Sequence, residues 1–119
     1  MIIRNQKNSA KIIGNEGAII YNLLNPKHVK NVIRYSLAYV NLHHGKSTLL
    51  HMMKTSEVYY ILEGKGILHI NNESNNVKVG DAIFVSPGSK QYIENVGLED
   101  LKFLCIIDPA WKKDDEILL

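Results

Sequence analysis

The chain has 119 residues, 45% of them hydrophobic, and a single cysteine, which fits one domain with one core and no internal disulfide. Its 14 Lys and Arg against 12 Asp and Glu leave a formal charge of +2, and neither sign forms a block, so nothing resembles a nucleic-acid-binding stripe. No apolar run approaches the ~20 residues that a spanning helix needs, and Met1 to Lys7 turns polar after two apolar residues, unlike a secretory signal.

These features lead to the expectation of a cytoplasmic protein without nucleic-acid or membrane partners. The arm over residues 1–17 ends in turn signals from Gly14 to Gly17. Strands are then expected near Ala18–Leu23 and Ile33–Asn41, separated by Asn25-Pro26 and one short helical turn over Pro26–Asn31. After Gly45 come Leu49–Met53, Glu57–Glu63, Gly66–Ile70, Asn76–Val79, Ala82–Val85, Gln91–Asn95 and Lys102–Ile107. Gly64, Gly66, Asn71-Asn72, Gly80-Asp81, Pro87-Gly88 and Asn95 to Gly97 mark the reversals between them. A second short helical turn is expected at Trp111 to Leu119, within the tail over residues 109–119. Turn signals every eight to twelve residues, with β-branched and aromatic residues between, indicate an all-β sandwich or barrel. The whole chain, 1–119, reads as one domain with its core at about 18–108.

Side-chain alternation assigns faces. One face of Glu57–Glu63 carries Glu57, Tyr59 and Ile61, the other Val58, Tyr60 and Leu62, and both are largely apolar. Leu49, His51 and Met53 similarly oppose Leu50 and Met52. A barrel wall apolar on both sides is expected to bury its outer face against a second subunit, giving a homodimer, or against the N-terminal arm; a second sheet of a sandwich is the plainer alternative.

Between Gly45 and Gly64 the spacing is Gly45, five residues, His51, one residue, Met53, three residues, Glu57, six residues, Gly64. A second pattern runs Gly80-Asp81-Ala82-Ile83-Phe84-Val85-Ser86-Pro87-Gly88-Ser89-Lys90-Gln91 and on to Asn95. In order and spacing the two resemble the paired motifs of the cupin family, over roughly Ala18 to Asp108, and most resemble small single-domain cupins of the sugar-phosphate isomerase-like group. The resemblance implies a cupin double-stranded β-helix, an antiparallel jelly-roll barrel. It further implies a metal held by two histidines and a glutamate of the first motif and a third histidine of the second. His51 and Glu57 keep two of those positions; Met53 and Gln91 replace the other two.

Two readings of the site follow. In one, His51, Glu57 and Gln91 hold one divalent metal ion, a thin donor set because the Met53 thioether is soft and uncharged. In the other, the same residues form a metal-free polar cluster in which the His51 and Glu57 protonation equilibria interact and can serve acid–base chemistry. Met53, Tyr59, Ile61 and Phe103 are expected to line the cavity, with Gln91 orienting a small polar metabolite. His51 and Glu57 are then the catalytic pair of an isomerase, lyase or dioxygenase-type enzyme, classes implied by the resemblance, or the anchor of a binding or sensing protein that has lost its metal. Cys105 is expected to pack as a small hydrophobe. His43 and His44 read as solvated loop residues, His28 and His69 as surface histidines, and Tyr39 and Tyr92 as packing residues that could offer a phenol. Trp111 is expected to plug one barrel end, and Asp114-Asp115-Glu116 to be a solvated tail.

Overall fold

A computed structural model describes residues 1–13 and 18–119; the expected turn at Gly14 to Gly17 lies outside them. Eleven strands are formed by the described residues: β1 (Ala10–Ile13), β2 (Ala18–Leu24), β3 (Ser36–Leu42), β4 (His51–Met53), β5 (Ser56–Glu63), β6 (Lys65–Ile70), β7 (Glu73–Lys78), β8 (Ala82–Val85), β9 (Lys90–Asn95), β10 (Leu101–Asp108) and β11 (Glu116–Leu118). They make two antiparallel sheets. Sheet A has the order β1-β2-β3-β10-β5-β8 and sheet B the order β11-β4-β9-β6-β7. The sheets face one another as a jelly roll whose β7 and β8 edges are not joined by pairing. No helix among the described residues is long and apolar enough to cross a membrane.

The nine strands expected from the turn signals and the residues between them all form, and 3-10 turns occupy Pro26–Val29 and Lys113–Asp115. Two strands carry no such signal. β1 forms by pairing with β2 in full exposure, and β11 by pairing with β4, so partner edges rather than intrinsic periodicity specify them.

Alternation in β5 sorts residues as expected on the inner side: Glu57, Tyr59 and Ile61 are all buried. The outer side differs from expectation. Tyr60 is 42% exposed and Val58 and Leu62 are half-buried, because the described part of the N-terminal arm joins the far edge of sheet A as β1. Trp111 does not plug the barrel either. It is 44% exposed, its chain held at the rim by a backbone N–H that donates to Ser36 Oγ.

The core joins both sheets: Leu42, Ile61, Ile93, Leu101 and Phe103 sit at 2% exposure or less. Two glycines make this packing possible. Gly64 turns β5 into β6 at φ +81, where a Cβ would stand 2.6 Å from the Asp100 carbonyl oxygen, so both the backbone and the space exclude a side chain. Gly66 lies inside β6 rather than at a reversal, and a Cβ there would meet the Glu94 carbonyl oxygen at 2.5 Å.

Candidate functional site

The site residues come from the end of the interior nearest the start of β5. Cross-strand pairing aligns Leu118, His51, Gln91 and Ile70 across β11, β4, β9 and β6. Sheet A contributes two rows of inward residues, Cys105, Tyr59 and Ile83, then Ile107, Glu57 and Val85. Within the site a buried hydrogen bond joins the two sheets: the Tyr59 hydroxyl donates to Gln91 Oε1 at 2.5 Å. Period-two alternation thus puts His51, Glu57, Tyr59 and Gln91 on inner faces.

Glu57 is the most unusual group. It is 5% exposed, and its Oε1 is buried with no hydrogen-bond partner among the described residues. Burial pushes its carboxyl above the usual range; the Cys105 thiol, His51 and the Gln91 amide oppose that shift, and Glu116 adds to it. Desolvation favours the neutral acid, and Oε1 is left without a protein partner among the described residues. The same burial, with Glu57 beside them, pushes the Tyr59 phenol and the Cys105 thiol well above their ordinary values, so both remain neutral donors.

His51 sits at the rim, partly exposed, with Nδ1 2.7 Å from the Leu49 carbonyl oxygen. A carbonyl can only accept, so Nδ1 carries the proton and Nε2 is left for a ligand. Met53 is buried at 2% beside Glu116, its register partner on β11. Glu116 was expected in a solvated tail. Instead the last strand returns it to the inner face beside Met53, a placement that only the β4–β11 pairing produces. Cys105 is buried as expected, but against the Glu57 carboxyl rather than in a wholly apolar setting. Alternation in β10 gives its inward direction; nothing in the sequence gives its neighbour.

The donors do not fit a resident divalent ion. Among the described residues no three His, Cys, Asp or Glu side chains come together as a metal-holding group. Gln91 Oε1 is already occupied by Tyr59, and the Met53 sulfur supplies no charge against the ion's desolvation.

Tyr59, Ile61 and Phe103 pack within the hydrophobic core, with the Tyr59 and Phe103 rings 5.4 Å apart, so they form a wall of the site rather than the sides of an open cavity. A cleft of about 320 Å³ instead opens along the seam between β7 and β8. Leu68, Ile70, Val77 and Ile83 form its floor, and Glu73, Asn75 and Asp81 are among its polar residues. Ile70 neighbours Gln91 and Ile83 neighbours Tyr59 across their strands. Two aliphatic side chains therefore separate the cleft from the buried hydrogen bond.

The remaining histidines stand elsewhere. His43 is exposed beside Asp100, and His44 Nδ1 lies 2.7 Å from the Gly97 carbonyl oxygen. The half-buried His28 caps its own turn by accepting from the Asn25 N–H. On the outside of sheet B, His69 stacks on Tyr92 with ring centroids 4.2 Å apart, which directs the Tyr92 phenol away from the interior. Tyr39 faces outward on sheet A, packed against Tyr21.

Comparison with known proteins agrees with this architecture. The sequence model of the cupin domain matches residues 38–107. An uncharacterized protein of Methanocaldococcus jannaschii is 43% identical over 90% of this chain and 86% of its own length. An oxalate-binding protein of Thermotoga maritima is 34% identical over 90% of this chain and 93% of its own. Among solved structures, a predicted oxalate decarboxylase from Thermotoga maritima superposes with a TM-score of 0.78 at 30% identity, covering 92% of this chain and 99% of that one. Oxalate decarboxylase from Bacillus subtilis reaches a TM-score of 0.86 at 17% identity, with this chain spanning 32% of its length, a likeness of fold alone. The chain belongs to the cupin family.

Proposed function

We propose that this cupin binds a small carboxylate in its barrel without a resident metal ion. The observation that carries the reading is the buried Glu57 carboxyl, raised in pKa and without a hydrogen-bond partner at Oε1 among the described residues. A neutral acid at that position donates to a ligand oxygen, and a buried donor left without an acceptor costs about 1–3 kcal/mol, so a ligand that supplies the acceptor is favoured. His51 Nε2, on the ring whose Nδ1 is held by the Leu49 carbonyl oxygen, adds a second polar contact from the rim. Gln91, held by Tyr59, orients the ligand, and Met53 and Phe103 exclude water from it. The oxalate-binding relative supports a ligand of that size and chemistry. Access runs along the β7–β8 seam, past Ile70 and Ile83.

The Glu57 donor depends on protonation. A carboxylate ligand should therefore bind more tightly as pH falls, and its binding should draw protons onto the site. Titration calorimetry of chelator-treated protein with oxalate and other small mono- and dicarboxylates tests this. We expect binding without added metal, weakened about tenfold or more in Glu57→Ala and His51→Ala, a loss of the order of one charge-assisted hydrogen bond. Binding that requires a divalent ion, or that is unchanged in Glu57→Ala, overturns the reading. One observation favours a catalytic alternative: a carboxyl with a raised pKa beside an imidazole also suits an acid–base pair in an isomerase or lyase. Turnover of a bound acid, followed by NMR and abolished in Glu57→Gln, distinguishes an enzyme from a binding protein.

A further inference from the structure

Six polar side chains are buried among the described residues: Ser36, Thr55, Glu57, Ser89, Gln91 and Asn95. For four of them the fold supplies hydrogen-bond partners. Ser36 Oγ accepts from the Trp111 N–H, and Ser89 Oγ lies 3.1 Å from Ser86 Oγ. Gln91 accepts from Tyr59, and Asn95 donates to the Leu42 and Glu99 carbonyl oxygens. Thr55 and Glu57 each keep a buried oxygen, Oγ1 and Oε1, with no partner among the described residues. Desolvating a polar atom without a hydrogen bond costs stability, so such atoms are rare in folded chains and point to an absent partner.

The two residues are neighbours. Thr55 stands just ahead of β5 and continues its alternation, so that Thr55, Glu57, Tyr59 and Ile61 are buried while Ser56, Val58 and Tyr60 between them are not. That parity puts all four on the inner face. Hydrogen bonds on both sides hold Thr55 in place: the Lys54 N–H donates to the Asp115 carbonyl oxygen, and Ser56 Oγ donates to that of Asp108. The Gly88 N–H donates to the Met53 carbonyl oxygen and brings the turn between β8 and β9 over the same end. On the reading of Glu57 as a carboxylate-binding group, on which the inference rests, we propose that Thr55 is a second ligand anchor and that the site takes a small acid with oxygen at both ends: a dicarboxylate, a hydroxy acid or an oxo acid. Residues two apart on a strand have Cα atoms about 6.6 Å apart, a span wider than one carboxylate group. The Thr55 hydroxyl both donates and accepts, so it pairs with a carboxylate, carbonyl or hydroxyl oxygen at one end of the ligand while Glu57 takes the other. Because the backbone around it is already held, the contact carries little ordering cost.

Titration calorimetry of chelator-treated protein, comparing malonate and succinate with acetate and propionate, tests the second anchor. The wild type is expected to prefer the dicarboxylates. Thr55→Val keeps the shape and loses the hydroxyl, and should cut that preference about threefold to tenfold, the scale of one neutral hydrogen bond. Thr55→Ser should restore it. In ligand-free protein the urea midpoint of Thr55→Val is expected to be no lower than that of the wild type, since the hydroxyl removed has no partner to lose. A wild type that binds the acids without preferring dicarboxylates, a lowered midpoint, or a preference unchanged in Thr55→Val although Glu57→Ala weakens every acid overturns the Thr55 assignment alone. Wild-type protein that binds none of the acids overturns the carboxylate reading of Glu57 and the Thr55 assignment with it.

Discussion

The same strands build the two ends of the interior and build them differently. β5 supplies Ile61 to one end and Glu57 to the other; β9 supplies Ile93 and Gln91; β10 supplies Leu101 and Cys105. At the first end packing is largely apolar, with Ile61, Ile93 and Leu101 at 0% exposure and the one buried polar side chain beside them, Asn95, satisfied by the Leu42 and Glu99 carbonyl oxygens. At the second, burial is almost as complete, yet the groups are a carboxyl, an amide, a phenol and a thiol joined by few hydrogen bonds. Interior position is set by alternation along a strand, whereas the chemistry of that position is set by distance along it. One end of the barrel stabilises the fold and leaves the other free to carry polar groups that cost stability.

Substitutions can break or sharpen this contrast, and the largest effect is expected at the apolar end. Ile61→Ala removes a fully buried side chain and should cost about 2–5 kcal/mol, read as a lowered urea midpoint. An effect below about 1 kcal/mol, the range of a tolerant site, would show that the apolar end is not what holds the sheets together.

A smaller loss is expected from Tyr59→Phe at the polar end. It removes the hydroxyl that satisfies Gln91 Oε1 and should cost about 1–3 kcal/mol, the penalty for an orphaned buried acceptor. Gln91→Leu in the same background should recover part of that loss, since the pair is then apolar on both sides. No recovery would mean that the bond does not couple the two residues.

The third effect lies in pH dependence. The folded-state pKa of Glu57 is raised, so between the ordinary carboxylate range and that raised value the native state holds a proton that the unfolded chain has lost. Stability from this group therefore falls as pH rises through that window and is greatest below it. Glu57→Gln removes the titration. Its stability should gain on the wild type as pH increases, and a denaturation series whose wild-type and variant profiles stay parallel would refute the assignment.

Much of the fold was legible because its causes are local or nearly so. The turn signals and the two-residue alternation of Glu57 to Glu63 and Lys102 to Ile107 specify strands whichever partners they find. The inner direction of His51, Glu57, Tyr59 and Gln91 was legible for the same reason. β1 and β11 were not, since Ala10–Ile13 is exposed throughout and Glu116–Leu118 is too short for a periodic signal; each is a strand because another strand offers it an edge. Glu116 reads as a tail residue for the same reason and becomes a neighbour of Met53 through pairing alone.

The sequence by itself determined an all-β cupin domain, the inner and outer sides of its strands, and the replacement of two ligand positions by Met53 and Gln91. Only the tertiary structure decided that Gln91 Oε1 is taken by Tyr59 across the sheets, that Glu57 is buried beside Cys105 with no partner for Oε1 among the described residues, and that the described part of the arm pairs at the edge of sheet A as β1. Alternation is a property of one strand and survives in its residue order. A hydrogen bond between sheets, the desolvation of a carboxyl and the covering of a face depend on segments far apart in the chain, and only their packing fixes them.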